Sequence, residues 1–259
     1  MNFTLKIWRQ ANAKTKGHFE KYQVHDISPD TSFLEMLDIL NDQLIRDGSD
    51  PVAVNKSCHT EGPVAFDSDC REGICGMCSL YINGRAHGPE DDITTCQLYM
   101  RKFKDGETIT VEPFRSAGFP IIKDLVVDRG AFDKILQAGG FTDINVGSAP
   151  DANSILVSKV KADKSMDASA CVGCGACVAT CKNGSAMLFV AARVSALADL
   201  PQGKTEGVKR AKSMVAKMDE LGFGACTNTQ ACQMECPKGI TVANIARLNK
   251  EFLSSKFKD

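Results

Sequence analysis

The segment "CREGICGMC" (Cys70–Cys78) places three cysteines at the spacing C-x₄-C-x₂-C, with glycines at positions 73 and 76. Glycine lets the backbone turn tightly, so such a loop can wrap a compact group and point its N–H groups inward. The spacing is typical of plant-type [2Fe–2S] sites, which take a fourth cysteine from a later segment. Cys96, in "DDITTCQ", meets that requirement.

Two alternatives remain open for this loop. A C-x₂-C pair also begins many zinc ribbons, although these usually carry two matched pairs. Cys58 competes with Cys96 as the fourth ligand, but it lies before the loop, and the plant-type order requires a later cysteine. We therefore predict a [2Fe–2S] cluster on Cys70, Cys75, Cys78 and Cys96, and a free thiol at Cys58.

The segments around this loop predict a β-grasp domain. Alternating apolar residues predict strands at "FTLKIWR" (Phe3–Arg9), "HFEKYQV" (His18–Val24) and "GETITVEPF" (Gly106–Phe114). The pair Asn83-Gly84 predicts a hairpin turn after "CSLYI". Apolar residues from Phe33 to Leu44 have helical spacing after capping residues, and Gly48 is expected to end this helix. Two strands, a helix and further strands are typical of this fold.

The second half is predicted to be helical and holds two cysteine runs. "CVGCGACVATCK" (Cys171–Lys182) follows the bacterial ferredoxin pattern C-x₂-C-x₂-C-x₃-C, with Lys182 in place of the usual proline. A second run, "CTNTQACQMECP" (Cys226–Pro237), begins 55 positions further along, and Thr229 replaces its second cysteine. The two runs therefore form a pseudo-repeat.

In two-cluster ferredoxins the fourth cysteine of each run binds the other cluster. Applied here, this rule assigns four thiolates to a [4Fe–4S] cluster: Cys171, Cys174, Cys177 and Cys236. It leaves three thiolates for the other cluster: Cys181, Cys226 and Cys232. A hydroxyl is a poor substitute for a thiolate on iron, so we predict a [3Fe–4S] cluster with Thr229 at the vacant corner. The alternative is that a solvent hydroxide completes a fourth iron site.

Composition and charge argue against several other classes of function. The chain has 259 residues, 12 cysteines and a formal net charge of −1, which gives no electrostatic basis for binding nucleic acid or an anionic membrane. Its longest apolar stretch, Ala186–Leu200, is too short to cross a bilayer, and the N-terminus lacks a secretory pattern. Dinucleotide-binding and phosphate-binding glycine motifs are absent. We therefore expect a cytosolic electron carrier without catalytic residues of its own.

These motifs, taken together, resemble the iron–sulfur subunits of succinate dehydrogenase and fumarate reductase. The similar segments are "VAFDSDCREGICGMC" (Val64–Cys78), "RSAGFPIIKDLVVDRGAFDKI" (Arg115–Ile135) and "CTNTQACQMECPKGI" (Cys226–Ile240). The resemblance implies an α+β chain. An N-terminal β-grasp [2Fe–2S] domain (residues 1–116) is followed by an all-α, bacterial-ferredoxin-like domain (residues 117–259).

The resemblance also implies a place in a membrane-bound oxidoreductase, succinate:quinone oxidoreductase, of the tricarboxylic acid cycle. Electrons would pass between FAD on a flavoprotein subunit and quinone on a membrane anchor, through the [2Fe–2S], [4Fe–4S] and [3Fe–4S] clusters in that order. The run "CVGCGACVATCKNG" looks more like the branch whose anchor is a single di-haem polypeptide that uses menaquinone. The chain would lie peripherally on the cytoplasmic face of the inner membrane.

The sequence departs from that family at two places, which leaves its quinone contacts unassigned. The segment "CKNGSAMLF" (Cys181–Phe189) lacks the tryptophan that many members carry there, and Thr227 stands where many have histidine. Other interpretations are a soluble ferredoxin-like shuttle, the input subunit of a thiol-coupled fumarate reductase and a zinc module. Small shuttles are usually strongly acidic, so the net charge of −1 favours permanent burial in a complex.

Overall fold

The computed structural model describes residues 1–46, 62–143, 148–154 and 157–257. The chain divides into two compact units, Met1–Asp128 and Arg129–Asp259. Cys58, expected to be a free thiol, lies outside the described residues.

A five-stranded mixed sheet forms the first unit. Its strands are β1 (Phe3–Arg9), β2 (His18–Val24), β3 (Leu80–Ile82), β4 (Arg85–Ala86) and β5 (Thr108–Pro113). They lie in the order β2-β1-β5-β3-β4, with β1 and β5 parallel and the other neighbours antiparallel. The alternate residues of β1 that the sequence predicts to face inward are buried. The α+β fold class with a ferredoxin-type first domain is thereby confirmed.

Helix α1 (Phe33–Arg46) packs its apolar side against the sheet and begins at a capping box. The Ser32 N–H donates to Glu35 Oε2 (2.7 Å), and the Glu35 N–H donates to Ser32 Oγ (3.2 Å). The two bonds satisfy N–H groups that a helix start otherwise leaves unpaired. The predicted helix is therefore confirmed, together with its start, and Gly48, its predicted end, lies outside the described residues.

The hairpin between β3 and β4 turns at Asn83-Gly84, as the sequence predicts. Both residues have left-handed backbone conformations, with φ of 50° and 79°. Two such residues in succession match the right-handed twist of the flanking strands. This hairpin leads the chain from the cysteine loop towards Cys96.

A second hairpin, β6 (Ile121–Lys123) and β7 (Val126–Val127), stays with the first unit. Its turn residue Asp124 is fully buried and pairs with buried Arg9, with 3.2 Å between Oδ1 and Nε. The same carboxylate accepts the N–H of Gln10 at 3.0 Å. The sequence places the domain boundary after residue 116. The two compact units divide after residue 128, and the buried carboxylate ties the hairpin to the sheet of the first unit, while the predicted domain boundary stays a prediction.

Helices form the second unit. They are α2 (Gly130–Gly139), α3 (Lys159–Ser169), α4 (Ala176–Ala179), α5 (Met187–Ala198), α6 (Pro201–Lys204), α7 (Gly207–Glu220), α8 (Ala231–Met234) and α9 (Ala243–Ser254). Nine of the twelve residues of α5 are buried, and α3, α7 and α9 pack around it. The predicted helices over 128–141, 206–224 and 241–253 correspond to α2, α7 and α9. No helix in the described ranges is long and apolar enough to span a membrane.

Candidate iron–sulfur sites

In the first unit, the loop over 70–78 and a later segment bring four thiols together. Cys78 and Cys96 are 3% and 5% exposed, and Cys70 and Cys75 are half-buried. Besides burial, the charges of Cys96 and Cys75 raise the pKa of Cys78, and Cys75 contributes to the lowered pKa of Cys70, so the four thiols lie close enough to influence one another. Cys96 reaches the loop from a short 3₁₀ helix, Thr95–Gln97. The structure thus collects the predicted set, whose binding of a cluster stays a prediction.

Backbone N–H groups lower the pKa of one of these thiols, whereas burial raises the pKa of another. The Glu72 N–H donates to Cys70 Sγ at 3.3 Å, and the Met77 N–H donates to Cys75 Sγ at 3.4 Å. The first of these bonds is the largest cause that lowers the pKa of Cys70 to about 6. Burial is the largest cause that raises the pKa of Cys78 to about 12. Cys70 is therefore more readily ionised than Cys78, from which iron must displace a proton.

The remaining seven cysteines of the described residues line two recesses in the second unit. The first recess holds four of them: Cys171, Cys174, Cys177 and Cys236. The second recess holds the other three, together with Thr229: Cys181, Cys226 and Cys232. The same division follows from the sequence by the rule that the fourth cysteine of each run binds the other cluster. Among the described residues, no three His, Cys, Asp or Glu side chains are arranged to hold one metal ion.

The two runs repeat in backbone conformation as well as in cysteine spacing. Helix α8 lies 55 positions after α4, and each is four residues long. Gly173 and Gly175 are left-handed (φ 66° and 90°), and so are their counterparts Asn228 and Gln230 (φ 54° and 64°). Non-glycine residues adopt this conformation uncommonly. The second run therefore keeps the backbone of a cluster-binding loop although it has lost both glycines.

Apolar and aromatic groups enclose the first recess. The rings of Phe132 and Phe189 are stacked with centroids 3.7 Å apart, and both line the recess. Burial raises the pKa of Cys174 to about 12 and also raises the pKa of Cys171 and Cys177. In such a dry site the metal-free thiols are neutral, so cluster binding must release their protons.

Two arginines that the sequence motifs do not indicate donate hydrogen bonds to the backbone of the first run. Arg129 Nη1 donates to the carbonyl oxygens of Gly173 (3.2 Å) and Cys174 (3.0 Å), and Arg193 Nη2 donates to that of Cys171 (3.0 Å). Both cations fix the loop and favour negative charge on its sulfurs. The two arginines lie far from each other in sequence, and no motif marks them.

The second recess differs from the first in the exposure of one residue that lines it. Thr229 is exposed, whereas Cys174, its counterpart in the pseudo-repeat, is 8% exposed. The Asn228 N–H donates to Cys226 Sγ at 3.4 Å. Asn183 Nδ2 donates to Thr227 Oγ1 at 3.3 Å, which ties the loop to the end of the first run. The position at which this run lacks a cysteine therefore lies on the exposed side of the recess.

The residues at these three places fit iron–sulfur clusters. Their donors are thiols alone, which suit such clusters. Backbone N–H groups point at sulfurs in all three groups, including the Ile240 N–H at 3.4 Å from Cys236 Sγ. Gly73 (φ 74°) allows close approach, because an added Cβ would lie 3.2 Å from Thr94 Oγ1.

Comparison with known protein families gives two matches that follow the two units. The model described as a 2Fe-2S iron-sulfur cluster binding domain matches residues 4–134, more than half of the chain. The model described as a 4Fe-4S dicluster domain matches residues 166–240. The fold and the sites thus define an iron–sulfur protein, and the matched families bind iron–sulfur clusters rather than zinc.

Similarity to curated relatives indicates which kind of iron–sulfur protein the chain is. The chain is 29% identical over 202 residues to the succinate dehydrogenase iron-sulfur subunit of Bacillus subtilis (strain 168), covering 76% of each chain. It is 27% identical over 264 residues to the fumarate reductase iron-sulfur subunit of Wolinella succinogenes, covering 97% of each. The chain belongs to the family of succinate dehydrogenase and fumarate reductase iron–sulfur subunits, which are electron-transfer subunits of oxidoreductase complexes.

A solved structure shares the fold. A chain of the Mycobacterium smegmatis Sdh1 complex in the apo form superposes with a TM-score of 0.63 at 18% identity. The match covers 99% of this chain and 98% of that chain. It therefore supports the arrangement of secondary structure over the whole length.

Proposed function

We propose that this chain carries single electrons through three iron–sulfur clusters between a flavoprotein subunit and a quinone-reactive membrane anchor. The observation that carries the proposal is the grouping of eleven cysteines into sets of four, four and three. Iron–sulfur clusters, when bound, each take up and release one electron. The protein's part is to hold the sulfurs, exclude water and supply N–H groups and cations around them.

The ligand sets follow from the three groups. Cys70, Cys75, Cys78 and Cys96 would hold a [2Fe–2S] cluster, and the four thiols of the first recess would hold a [4Fe–4S] cluster. The three thiols of the second recess would hold a [3Fe–4S] cluster beside Thr229. The position of Thr229 on the lining of this recess supports this last assignment, because a hydroxyl is a poor substitute for the missing thiolate on iron.

The partners in this proposal come from the family. The flavoprotein subunit carries FAD and interconverts succinate and fumarate, and the anchor binds quinone. The run "CVGCGACVATCKNG" (171–184) favours an anchor that is a single polypeptide with haem b and menaquinone. The chain would sit peripherally on the cytoplasmic face of the inner membrane and serve the tricarboxylic acid cycle or fumarate reduction.

Co-purification combined with spectroscopy tests this function. The chain is tagged and isolated from detergent-solubilised membranes, and its electron paramagnetic resonance is recorded oxidised and after stepwise reduction. We expect a flavoprotein and a membrane subunit to accompany it, with a [3Fe–4S] signal in the oxidised sample and two further centres on reduction. Isolation of the chain alone from a detergent-free extract, with its iron intact, would favour a soluble shuttle instead.

A further inference from the structure

Thr94 lies within hydrogen-bonding distance of one of the four thiols at the first site. Its side-chain oxygen Oγ1 is 3.2 Å from Cys96 Sγ, and the residue is 2% exposed. Burial removes water as a competing partner for the hydroxyl. The direction of the bond is set by chemistry, because a cysteine that binds iron has lost its proton and can only accept.

The hydroxyl of Thr94 is not used by the helix that it precedes. Thr94 is the N-terminal cap of the 3₁₀ helix Thr95–Gln97, a position where threonine commonly bonds the backbone. Here its side chain makes no capping bond. The hydroxyl is therefore directed to the Cys96 sulfur rather than to the backbone.

The cysteine loop leaves room for this hydroxyl. An added Cβ at Gly73 would lie 3.2 Å from Thr94 Oγ1, a contact too tight to accept without movement. Gln97 adds a second donor, with Nε2 at 3.7 Å from Cys96 Sγ and at 2.9 Å from the carbonyl oxygen of Arg71. Cys96 is thus surrounded by side-chain donors that come from its own segment.

We propose that Thr94 is a positioning residue that holds the reduction potential of the first centre higher by donating its hydroxyl to the Cys96 thiolate. The inference rests on the proposed function, since it needs a cluster at this site. A hydrogen bond to a ligand sulfur stabilises negative charge there. Reduction adds one electron and the hydroxyl keeps its proton, so the bond favours the reduced, more negative state.

Redox titration of matched variants tests the inference. The full chain is purified with its centres as wild type, Thr94→Val and Thr94→Ser, and the midpoint potential of the [2Fe–2S] signal is measured for each. We expect a shift to lower potential in Thr94→Val and a potential close to wild type in Thr94→Ser. Thr95→Val is the control, because that neighbouring buried hydroxyl bonds His87 Nδ1 (3.1 Å) instead of a sulfur. Its potential is expected to remain that of the wild type.

The outcomes separate this inference from the function on which it rests. A wild-type protein without a [2Fe–2S] signal overturns both. A wild-type signal whose potential is unchanged in Thr94→Val, or shifted equally in Thr95→Val, overturns the role of Thr94 alone. If Thr94→Val does not retain iron, Thr94→Ala replaces it. Loss of the centre in both variants also overturns the role, because Thr94 would then act on assembly rather than on potential.

Discussion

In the proposed ligand assignment, the side chain of Thr229 decides the type of one cluster. It occupies the place of Cys174 in the pseudo-repeat, on a loop that keeps the left-handed conformations of Asn228 and Gln230. Because the backbone is already that of a four-cysteine run, a thiolate at this position would face the open corner of the second recess. Under the proposed assignment, the residue at position 229, rather than the fold around it, would exclude a fourth iron.

We expect Thr229→Cys to convert the [3Fe–4S] centre towards [4Fe–4S] and to lower its potential, because a fourth thiolate adds negative charge. Electron delivery to quinone would slow. The measurement is electron paramagnetic resonance of the oxidised protein, in which the [3Fe–4S] signal should be lost. Thr227→Cys is the control, since Thr227 lines the same recess but corresponds to Val172, which is not a cysteine. An unchanged signal in Thr229→Cys would refute the ligand assignment.

The spacing of cysteines allowed the candidate site to be predicted, whereas the groups around the sulfurs could not be. Ligand spacing is local in the chain, so the pseudo-repeat, together with the rule that the fourth cysteine of each run binds the other cluster, divides the thiols as the two recesses do. The bonds of Arg129 and Arg193 join residues 44, 45 and 22 positions apart. No periodicity or motif records such pairs. The hydroxyl of Thr94 is close in sequence, but its direction depends on the turn of the 3₁₀ helix.

At the scale of the element, the start of α1 depends on a pair of reciprocal hydrogen bonds. Ser32→Ala removes the hydroxyl that accepts the Glu35 N–H, and we expect a loss of about 1 kcal/mol in the free energy of unfolding of the first unit. Trp8, the only tryptophan, lies in this unit, so its fluorescence during urea unfolding reports the change. Thr31→Ala is the control, because it removes a neighbouring hydroxyl outside the capping box. An equal loss in both variants would contradict the assignment.

The capping box of Ser32 and Glu35 also predicts that the free energy of unfolding depends on pH. The Ser32 N–H is the largest cause that lowers the pKa of Glu35 in the folded chain. A lowered folded pKa means that this contribution is present above the unfolded pKa of glutamate, about 4.3, and is lost as the pH falls through the folded value. Urea midpoints measured across this acidic range should therefore fall more steeply for the wild type than for Glu35→Gln. Parallel pH profiles would exclude the linkage.

The buried pair Arg9–Asp124 ties the hairpin of β6 and β7 to the sheet of the first unit. Asp124→Asn leaves the Arg9 charge buried without its partner, which we expect to cost about 3–5 kcal/mol of unfolding free energy. This loss is measured by Trp8 fluorescence during urea unfolding. Asp91→Asn is the control, because the Arg85–Asp91 pair is exposed and should cost no more than about 1 kcal/mol. Similar losses in the two variants would show that burial does not decide the contribution.

Long amphipathic or alternating segments were the elements that the sequence could predict. Helix α3 was missed because its eleven residues are mostly polar and only Ser165 and Ala168 are buried. The hairpin of β6 and β7 was missed because its strands have three and two residues, too few for a pattern. Its attachment through Asp124 is a contact with residues more than a hundred positions away. That non-local contact keeps the hairpin within the first compact unit, which extends to residue 128.

At the scale of the whole molecule, the two units differ in how far their cores depend on thiols. The first unit has a sheet and α1 packed around a continuous apolar core, with its four thiols gathered on the cysteine loop and one later segment. The second unit places seven thiols in two recesses among its helices. Helices α4 and α8 have four residues each, too few to be stable by themselves. Ligand bonds to their cysteines are therefore a large part of what fixes these runs.

Iron removal is consequently expected to destabilise the second unit more than the first. Binding to the native state alone adds to the free energy of unfolding, so loss of the bound group subtracts it. The measurement is thermal unfolding before and after anaerobic chelation, followed in parallel by far-ultraviolet circular dichroism, dominated by the helices, and by Trp8 fluorescence. The helical transition should move to lower temperature by more than the Trp8 transition. Equal shifts, or a larger shift at Trp8, would contradict the dependence of the helical runs on their ligands.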